Sequence, residues 1–271
     1  MGSLVTALAS FCDVKQRGGR WFVRIDDIDP QRADPSALEH IIKSLAAHGL
    51  SGDGPMQAQS HRLTEYATAR DRLTDLSYFC NCSRKKLVGE RLYPGYCRHK
   101  LTFAPEHAVR ITADDKQRQF LDRHKGVFSF VASEHFGDFI IWRRDNIVTY
   151  HLATAYDDGH NHSHVLRGDD LFEMTAPQLF LMEKLGLNPP EYTHIPVLTF
   201  PDGTKLSKQT HAPALGIENP EENLRDALHL LGQRPPKAQF TVGQWLDWAV
   251  THWRLEAIPH TLEPFSEGNY E

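Results

Sequence analysis

Helical and strand-like spacings of apolar residues alternate along the first 76 positions of the chain. Leu4, Leu8 and Phe11 fall on one face of a predicted helix, which the pair Gly18-Gly19 would end. Residues 21–25 form a short apolar run typical of a strand. Two more helices are predicted, within 34–50 and 61–76. Helix, strand and helix in such short order favour an α/β fold with a parallel sheet.

The regular spacing breaks up in residues 77–125, which contain three of the four cysteines and a Pro94-Gly95 turn. This stretch predicts a small sub-domain inserted between two halves of an α/β core. Beyond it, two strand-like runs flank an Asp145-Asn146 turn and suggest a hairpin, and residues 164–171 predict a strand and a loop. The predicted organisation is a first core half at 1–76, the sub-domain at 77–125, a second core half at 126–200 and a C-terminal region at 201–271.

The remaining elements are predicted to be mostly helical. A helix at 175–187 has Pro177 in its first turn and Gly186 near its end, and a strand at 195–200 follows. Two amphipathic helices are predicted at 220–232 and 241–253. The second has an apolar face made of Leu246, Ala249, Val250 and Trp253.

Composition restricts the class of protein. The 271 residues are 40% hydrophobic and 24% charged, which is ordinary for a globular chain and excludes general disorder. The net charge of −5 gives no overall attraction for nucleic acid, so an RNA partner would need local patches such as Arg84-Lys85-Lys86 or Arg143-Arg144. No apolar run is long enough for a membrane span, and the first residues predict a helix rather than a signal peptide. Four cysteines do not make a disulfide framework, so a cytoplasmic protein is expected.

Two lysines stand close together after an Asp-Gly turn, in the sequence PDGTKLSKQTHAPAL at 201–215. The ammonium groups of Lys205 and Lys208 can neutralise the phosphates of a nucleotide. They can also stabilise the charge that develops as pyrophosphate leaves. A solvated surface loop is the alternative explanation, and the five central residues alone do not decide between the two.

Four motifs in order along the chain resemble those of one family. KLSKQ resembles the KMSKS signature of class I aminoacyl-tRNA synthetases, and KLSKQTHAP is similar to the form in glutamyl-queuosine tRNA(Asp) synthetases, short paralogues of glutamyl-tRNA synthetase. GGRWFVRIDDIDPQR resembles that family's GGRWLxRIEDxDPPR, CNC…YPGYC its zinc-binding insertion, and YHLATAYDD…HVLRGDDL its glutamate-binding stretch. The resemblance covers nearly the whole chain. It implies a Rossmann-like parallel-sheet core with an inserted zinc-binding sub-domain and C-terminal helices.

The cysteine cluster can also be interpreted without the family. Cys80, Cys82 and Cys97 lie within eighteen residues, close enough for three thiolates to bind one ion. Tetrahedral zinc takes four ligands. Spacing alone leaves Tyr93, Glu90 and His99 as candidates for the fourth, and three reduced core cysteines are the alternative. The resemblance implies Tyr93, so the expected zinc ligands are Cys80, Cys82, Tyr93 and Cys97.

Three alternating histidines form a second candidate metal site in DDGHNHSH. His160, His162 and His164 would share one face of a strand, where three imidazoles can bind a metal. A polar loop before the strand HVLRG is the favoured interpretation, and no metal is predicted here.

The resemblance places the glutamate-binding residues at Asp26, Tyr150 and Arg167. Arg167 can bind a carboxylate bidentately, Tyr150 offers a hydroxyl, and Asp26 offers a carboxylate for the substrate ammonium. Taken singly, such residues are more often surface ion pairs or core tyrosines. Asp26 stands where the family has glutamate, so its carboxylate is one methylene shorter and a bound glutamate is expected to sit deeper or be held through water.

The first residues match the family in part. Gly2 and Ser3 correspond to the end of a HIGH-type motif such as LHFGS, which implies ATP contacts at the N-terminus of a helix. The preceding strand, with its RFAPSPTG segment, and the histidine of the motif have no counterpart in the 271 residues. This predicts either a start further upstream or a degenerate descendant.

The function that the resemblance implies is activation of L-glutamate with ATP and Mg²⁺, followed by its transfer to queuosine at the wobble position of tRNA(Asp). Lys208, assisted by Lys205, would stabilise the developing charge, and Lys208, Gly2 and Ser3 would contact ATP. A monomer without membrane contact is expected. Only 63 residues follow Lys208, too few for the helical anticodon-binding region of a synthetase that charges tRNA(Glu). The alternative is a non-catalytic descendant that keeps zinc and RNA binding; an unrelated zinc-binding structural protein would make the lysine loop coincidental.

Overall fold

Helices and strands alternate through the computed structural model, which describes residues 1–29, 35–99, 104, 106–199 and 215–262. The helices are α1 (Gly2–Gln16), α2 (Pro35–Ala47), α3 (Leu63–Arg72), α4 (Ala132–His135), α5 (Tyr150–Asn161), α6 (Phe172–Leu185), α7 (Pro220–Leu230) and α8 (Val242–His252). The strands are β1 (Arg24–Ile25), β2 (Gln57–Ala58), β3 (Ser77–Cys80), β4 (Ala108–Ile111), β5 (Gln117–Asp122), β6 (Gly126–Val131), β7 (Phe139–Trp142), β8 (His164–Gly168) and β9 (Glu191–Ile195).

Two β-α-β units give the chain its parallel strands, as the sequence predicts. β1 and β2 pair in parallel on either side of α2. β8 and β9 pair in parallel over five residues and are joined by α6. β8 and β9 belong to a four-stranded sheet in the order β6-β5-β9-β8. In it, β5 is parallel to β9 and antiparallel to β6. The predicted α/β class with a parallel sheet is therefore confirmed.

A separate antiparallel sheet, in the order β3-β4-β7, carries the cysteine-rich segment. Its strands β3 and β4 lie inside the predicted sub-domain at 77–125, but β7 comes from the stretch after it. β5, also inside 77–125, pairs instead with β9 of the parallel sheet. The division of the chain at residues 76, 125 and 200 stays a prediction.

The predicted hairpin after residue 138 is wrong in its second half. β7 and the turn at Asn146 are present, but the return run makes only one antiparallel bridge, between Trp142 and Val148. From Tyr150 the chain is helical, because burying Leu152 and Ala153 against α6 requires helical and not alternating spacing. Gly159 allows close packing there, since a Cβ atom would lie 2.8 Å from Leu187 Cβ.

Two further boundaries differ from the prediction. α6 begins at Phe172, so Pro177 lies inside the helix and not in its first turn. Gly186 ends this helix in the left-handed conformation, with φ at +66°, as its position predicts. The strand predicted at 195–200 is observed earlier, at β9, because its buried side chains are those of Tyr192 to Ile195.

Two hydrophobic cores lie on either side of the parallel sheet. One packs α1 against the C-terminal helices α7 and α8, and includes the predicted face residues Leu246, Ala249 and Trp253. The other joins α3, α5 and α6 to the antiparallel sheet. α8 begins with a capping box between Thr241 and Gln244, which stabilises such a helix end by about 1 kcal/mol. Within the described ranges, no helix is both long and apolar enough to cross a membrane.

Candidate active site and metal site

A cavity of about 490 Å³ opens between α1, β1, α5 and β8. The three residues predicted to bind glutamate, Asp26, Tyr150 and Arg167, all line it. Asp26 directly follows β1, Tyr150 begins α5, and Arg167 lies near the end of β8. The fold therefore brings together side chains from three distant parts of the chain, and their roles in binding stay a prediction.

Arg24 orders the acidic wall of the cavity. Its Nε lies 2.7 Å from Asp26 Oδ1, and its Nη1 lies 2.6 Å from Asp158 Oδ1. Burial alone would lower the pKa of Arg24, but Asp158 and Asp26 raise it well above its usual value. The carboxylate of Asp26 is thus oriented by a permanent cation before any ammonium group arrives.

Arg167 is held from two sides. Its Nε donates to His194 Nε2 at 2.9 Å, and its Nη2 donates to Thr175 Oγ1 at 2.9 Å and to Gln178 Oε1 at 2.7 Å. These bonds use the Nε hydrogen and both Nη2 hydrogens. Among the residues that the structure describes, Nη1 has no hydrogen-bond partner, so Nη1 is the nitrogen that can bind a ligand; the bidentate contact expected from the sequence stays a prediction.

Tyr150 provides a neutral hydroxyl beside these charges. Burial raises the pKa of Tyr150, and the nearby carboxylate of Asp26 acts in the same direction against the opposing effect of Arg167. The phenol therefore stays protonated at neutral pH and can donate a hydrogen bond to a ligand.

The predicted ATP-binding residues lie elsewhere or outside the described part. Gly2 and Ser3 form the first turn of α1, whereas the cavity is lined by Ser10, Asp13 and Val14 further along that helix. A rise of 1.5 Å per residue puts Gly2 about 12 Å along the axis from Ser10. Lys205 and Lys208 fall outside the described residues.

The cysteine cluster predicted from the sequence is assembled at the end of β3. The Sγ atoms of Cys80, Cys82 and Cys97 all lie within 4.8 Å of one another, with Cys82 and Cys97 at 3.6 Å. Tyr93 Oη lies 3.5 Å from the Sγ atoms of both Cys80 and Cys82. Glu90 and His99, the other candidates for a fourth ligand, do not belong to this group.

These separations match a tetrahedral zinc site. Bonds of about 2.3 Å to sulfur and about 2.0 Å to oxygen in a tetrahedron require S···S edges of about 3.8 Å and S···O edges of about 3.5 Å. The observed 3.6 Å and 3.5 Å agree with both values. Burial would raise the pKa of the Cys80 thiol, but hydrogen bonds from Tyr93 and Arg110 lower it to about 7. A large fraction of Cys80 is therefore thiolate, the form that binds zinc, at neutral pH. The donor set fits zinc.

The three alternating histidines do not form a comparable group. His160 lies in the last turn of α5, where its Nδ1 is 2.8 Å from the carbonyl of Tyr156. His164 begins β8 and contacts Glu191, with 3.2 Å between Nε2 and Oε2. Among the described residues, the cysteine group is the one set of three such side chains placed to share an ion.

Sequence reasoning missed the buried polar residues behind Arg167. His194 and Asp122 are fully buried, and Thr175 and Gln178 are buried in α6. The available signal was a histidine and a threonine within the otherwise apolar run YTHIPVL, where a strand buried on both faces would normally have only apolar side chains. A buried polar side chain requires a partner, but the sequence does not identify Arg167 as that partner.

Comparisons with known proteins agree with this geometry. Residues 1–240 match the family described as tRNA synthetases class I (E and Q), catalytic domain. The chain is 40% identical over 264 residues to a glutamyl-Q tRNA(Asp) synthetase of Pseudomonas aeruginosa, covering 95% of this chain and 90% of that one. It is 42% identical over 267 residues to the protein of that name in Methylococcus capsulatus, covering 96% and 88%.

A solved structure shows the same fold. The glutamate-tRNA synthetase from Elizabethkingia anophelis superposes with a TM-score of 0.78 at 22% identity. The match covers 98% of this chain and 65% of the other, so the chain spans about two thirds of that protein's length. With its fold, its motifs and its relatives in agreement, the chain belongs to the class I tRNA synthetases of the E and Q type, which are ligases.

Proposed function

We propose that this protein activates L-glutamate with ATP and Mg²⁺ and transfers the glutamyl group to queuosine at the wobble position of tRNA(Asp). The observation that carries the first step is the cavity in which Arg167, Asp26 and Tyr150 meet. The choice of tRNA is supported by the names of the two relatives, both glutamyl-Q tRNA(Asp) synthetases at 40% identity or more.

The cavity offers one partner for each charged group of an amino acid with an acidic side chain. Nη1 of Arg167 would bind the side-chain carboxylate, because the α-carboxylate must stay free to attack the α-phosphorus of ATP. Asp26, oriented by Arg24, would accept from the substrate ammonium. Attack forms the glutamyl-adenylate and releases pyrophosphate, and Lys208 with Lys205 would stabilise the charge on the leaving group.

We also propose that Cys80, Cys82, Tyr93 and Cys97 bind a structural zinc ion. The support is the tetrahedral spacing of their Sγ and Oη atoms and the lowered pKa of Cys80. A site with four protein ligands leaves no open position for substrate, so the ion would stabilise its sub-domain and take no part in the chemistry.

Glutamate-dependent ATP–pyrophosphate exchange without tRNA tests the activation step. The 271-residue protein should exchange with glutamate, and Lys208→Ala should abolish the exchange. Exchange with aspartate or glutamine at equal efficiency would contradict the assignment of Arg167 and Asp26. A folded, zinc-loaded protein without exchange would favour the non-catalytic alternative.

The transfer step needs its own measurement. Radiolabelled glutamate should be incorporated into tRNA(Asp) that contains queuosine, and not into the same tRNA isolated from cells unable to make queuosine. The attached label should resist removal of the 3′-terminal adenosine. Incorporation that depends on the 3′ end would instead indicate charging of the conventional kind.

A further inference from the structure

A buried chain of hydrogen bonds runs across three neighbouring strands behind the cavity. Asp122 ends β5, His194 lies in β9 and Arg167 lies in β8. Asp122 Oδ2 is 2.7 Å from His194 Nδ1, and His194 Nε2 is 2.9 Å from Arg167 Nε. Asp122 and His194 are 0% exposed and Arg167 is 8% exposed. Only Arg167 of the three lines the cavity.

The partners of His194 determine its tautomer. An arginine Nε can only donate, so His194 Nε2 must be the acceptor and the ring proton must be on Nδ1. That proton is donated to Asp122, whose carboxylate also accepts from the backbone N–H groups of His124 and Lys125 at 3.0 and 2.8 Å. A carboxylate fixed by the backbone thus fixes a neutral imidazole, which in turn orients Arg167.

We propose that His194 is a positioning residue for the substrate carboxylate, because it fixes the Nε edge of the Arg167 guanidinium, and Arg167 lines the cavity. The inference rests on the proposed function, in which Nη1 binds the side-chain carboxylate of glutamate. Thr175 and Gln178 hold Nη2, but both lie on α6; His194 is the contact from the sheet that holds Nε. Without His194, the guanidinium keeps its charge but is held through Nη2 alone.

The charges around the ring favour the neutral form. The groups that face it are Asp122 and Lys125 at the end of β5, Arg167 from β8, Tyr192 from its own strand, and Thr175 and Gln178 from α6. Burial lowers the pKa of His194, and Arg167 and Lys125 lower it further against the opposing effect of Asp122. Nε2 therefore remains an acceptor at neutral pH.

Two substitutions of His194 distinguish its hydrogen bond with Arg167 from its hydrogen bond with Asp122. In His194→Gln the amide oxygen reaches about the position of Nε2 and can accept from Arg167. In His194→Asn the amide nitrogen reaches about the position of Nδ1 and can donate to Asp122, but nothing reaches Arg167. Calorimetric titration of the full chain with glutamate should show binding about tenfold to a hundredfold weaker in His194→Asn. His194→Gln should stay within about threefold of the natural protein.

His48→Asn provides the matched control. His48 is also 0% exposed, and its ring nitrogens contact the Ser44 carbonyl at 2.7 Å and Asn223 at 3.0 Å, away from the cavity. This variant should unfold at a lower temperature and keep its affinity for glutamate. Equal weakening in all three variants, or unchanged affinity in His194→Asn, would overturn the positioning role.

A measurement on the unsubstituted protein is independent of whether the variants fold. Nitrogen-15 NMR of histidine-labelled protein should assign the His194 proton to Nδ1 and should show Nε2 shifting when glutamate is added. A proton on Nε2 would refute the inference. If the natural protein binds no glutamate, the proposed function and the inference both fail; if it binds but His194→Asn binds equally well, only the inference fails.

Discussion

The cysteine cluster and the substrate cavity differ in how far along the chain their parts are separated. The four zinc-ligand candidates lie between residues 80 and 97, whereas the cavity and its supporting bonds combine residues from Ser10 to His194. A local group can be organised by the ion itself, because metal binding supplies folding free energy to the segment that carries the ligands. The cavity has no such local source and depends on the packing of β1, α5, β8 and β9.

The two regions also differ in how their charges are satisfied. In the cluster, three sulfur atoms and a phenol oxygen converge on one point, where the proposed zinc ion would balance the charge of the thiolates that bind it. In the cavity, guanidinium and carboxylate groups are paired within the fold, as in the contacts of Arg24 with Asp26 and Asp158. Substitutions in the cluster should therefore reduce zinc binding, and substitutions in the cavity should reduce glutamate binding, each without affecting the other.

The largest effect is expected from removing a cysteine of the cluster. Cys82→Ala should reduce bound zinc from about one ion per chain to nearly none, since three remaining donors do not make a structural site. Glutamate-dependent exchange should fall by less than about threefold, because the cavity lies outside that sheet. Metal analysis by mass spectrometry and the exchange assay measure the two quantities.

Cys12→Ala is the matched control for that experiment. Cys12 is a buried free thiol in α1, outside the cluster. Its removal should leave the zinc content unchanged. Full zinc in Cys82→Ala, or loss of zinc in Cys12→Ala, would show that the ion is held elsewhere.

The converse experiment should weaken glutamate binding in the cavity and leave the zinc content unchanged. Arg167→Gln removes the cation proposed to bind the substrate carboxylate, and a lost charged hydrogen bond of about 3 kcal/mol corresponds to roughly a hundredfold rise in the KM for glutamate. The KM for ATP and the zinc content should not change. Arg118→Gln is the control. Arg118 is a mostly buried arginine that forms ion pairs with Asp114 and Glu183, and its replacement should leave the KM for glutamate unchanged. An unaltered KM in Arg167→Gln would remove Arg167 from the site.

The same contrast explains how much could be predicted from the sequence. The cluster could be predicted because Cys80, Cys82 and Cys97 are close in sequence and thiolates are specific zinc ligands. α1, α7 and α8 were accessible because each has a single apolar stripe facing one core. Where both faces of an element are buried, periodicity fails, as in α5, which the sequence predicts as a strand, and in β9, which lies several residues before the strand predicted at 195–200.

The support of the cavity could not be predicted for a related reason. Asp122, His194 and Arg167 become neighbours only through the strand order β5-β9-β8, which no local pattern encodes. The resemblance supplied Asp26, Tyr150 and Arg167 as ligands, but not the fact that Nε and Nη2 of Arg167 both donate hydrogen bonds to side chains of the fold. Side chains that hold other side chains leave little trace in a single sequence.

A smaller effect is expected at the fourth ligand of the cluster. Tyr93→Phe keeps three thiolates and replaces the phenol oxygen with an open position that water can fill, so zinc affinity should fall by about tenfold to a hundredfold without being lost. Competition with a chromophoric chelator measures this affinity. Tyr96→Phe is the control, because Tyr96 is a nearby exposed tyrosine that donates to Glu90. Equal affinities for zinc in the two variants would exclude Tyr93 as a ligand.

The smallest effect concerns His151, which lies between the two regions. It lines one cavity with Tyr93 and Arg110 and another with Asp26 and Tyr150. Burial lowers its pKa to about 4, and Arg167 acts in the same direction. Between the unfolded pKa of about 6.5 and the folded pKa of about 4, the unfolded chain binds the proton more readily than the folded protein. Lowering the pH therefore destabilises the fold by at most about 1.4 kcal/mol per pH unit.

Urea unfolding between pH 6.5 and 4 should show this loss of stability. The free energy of unfolding should fall less steeply with decreasing pH in His151→Gln than in the natural protein. Identical slopes in His151→Gln and in the natural protein would mean that His151 is not held neutral in the folded protein.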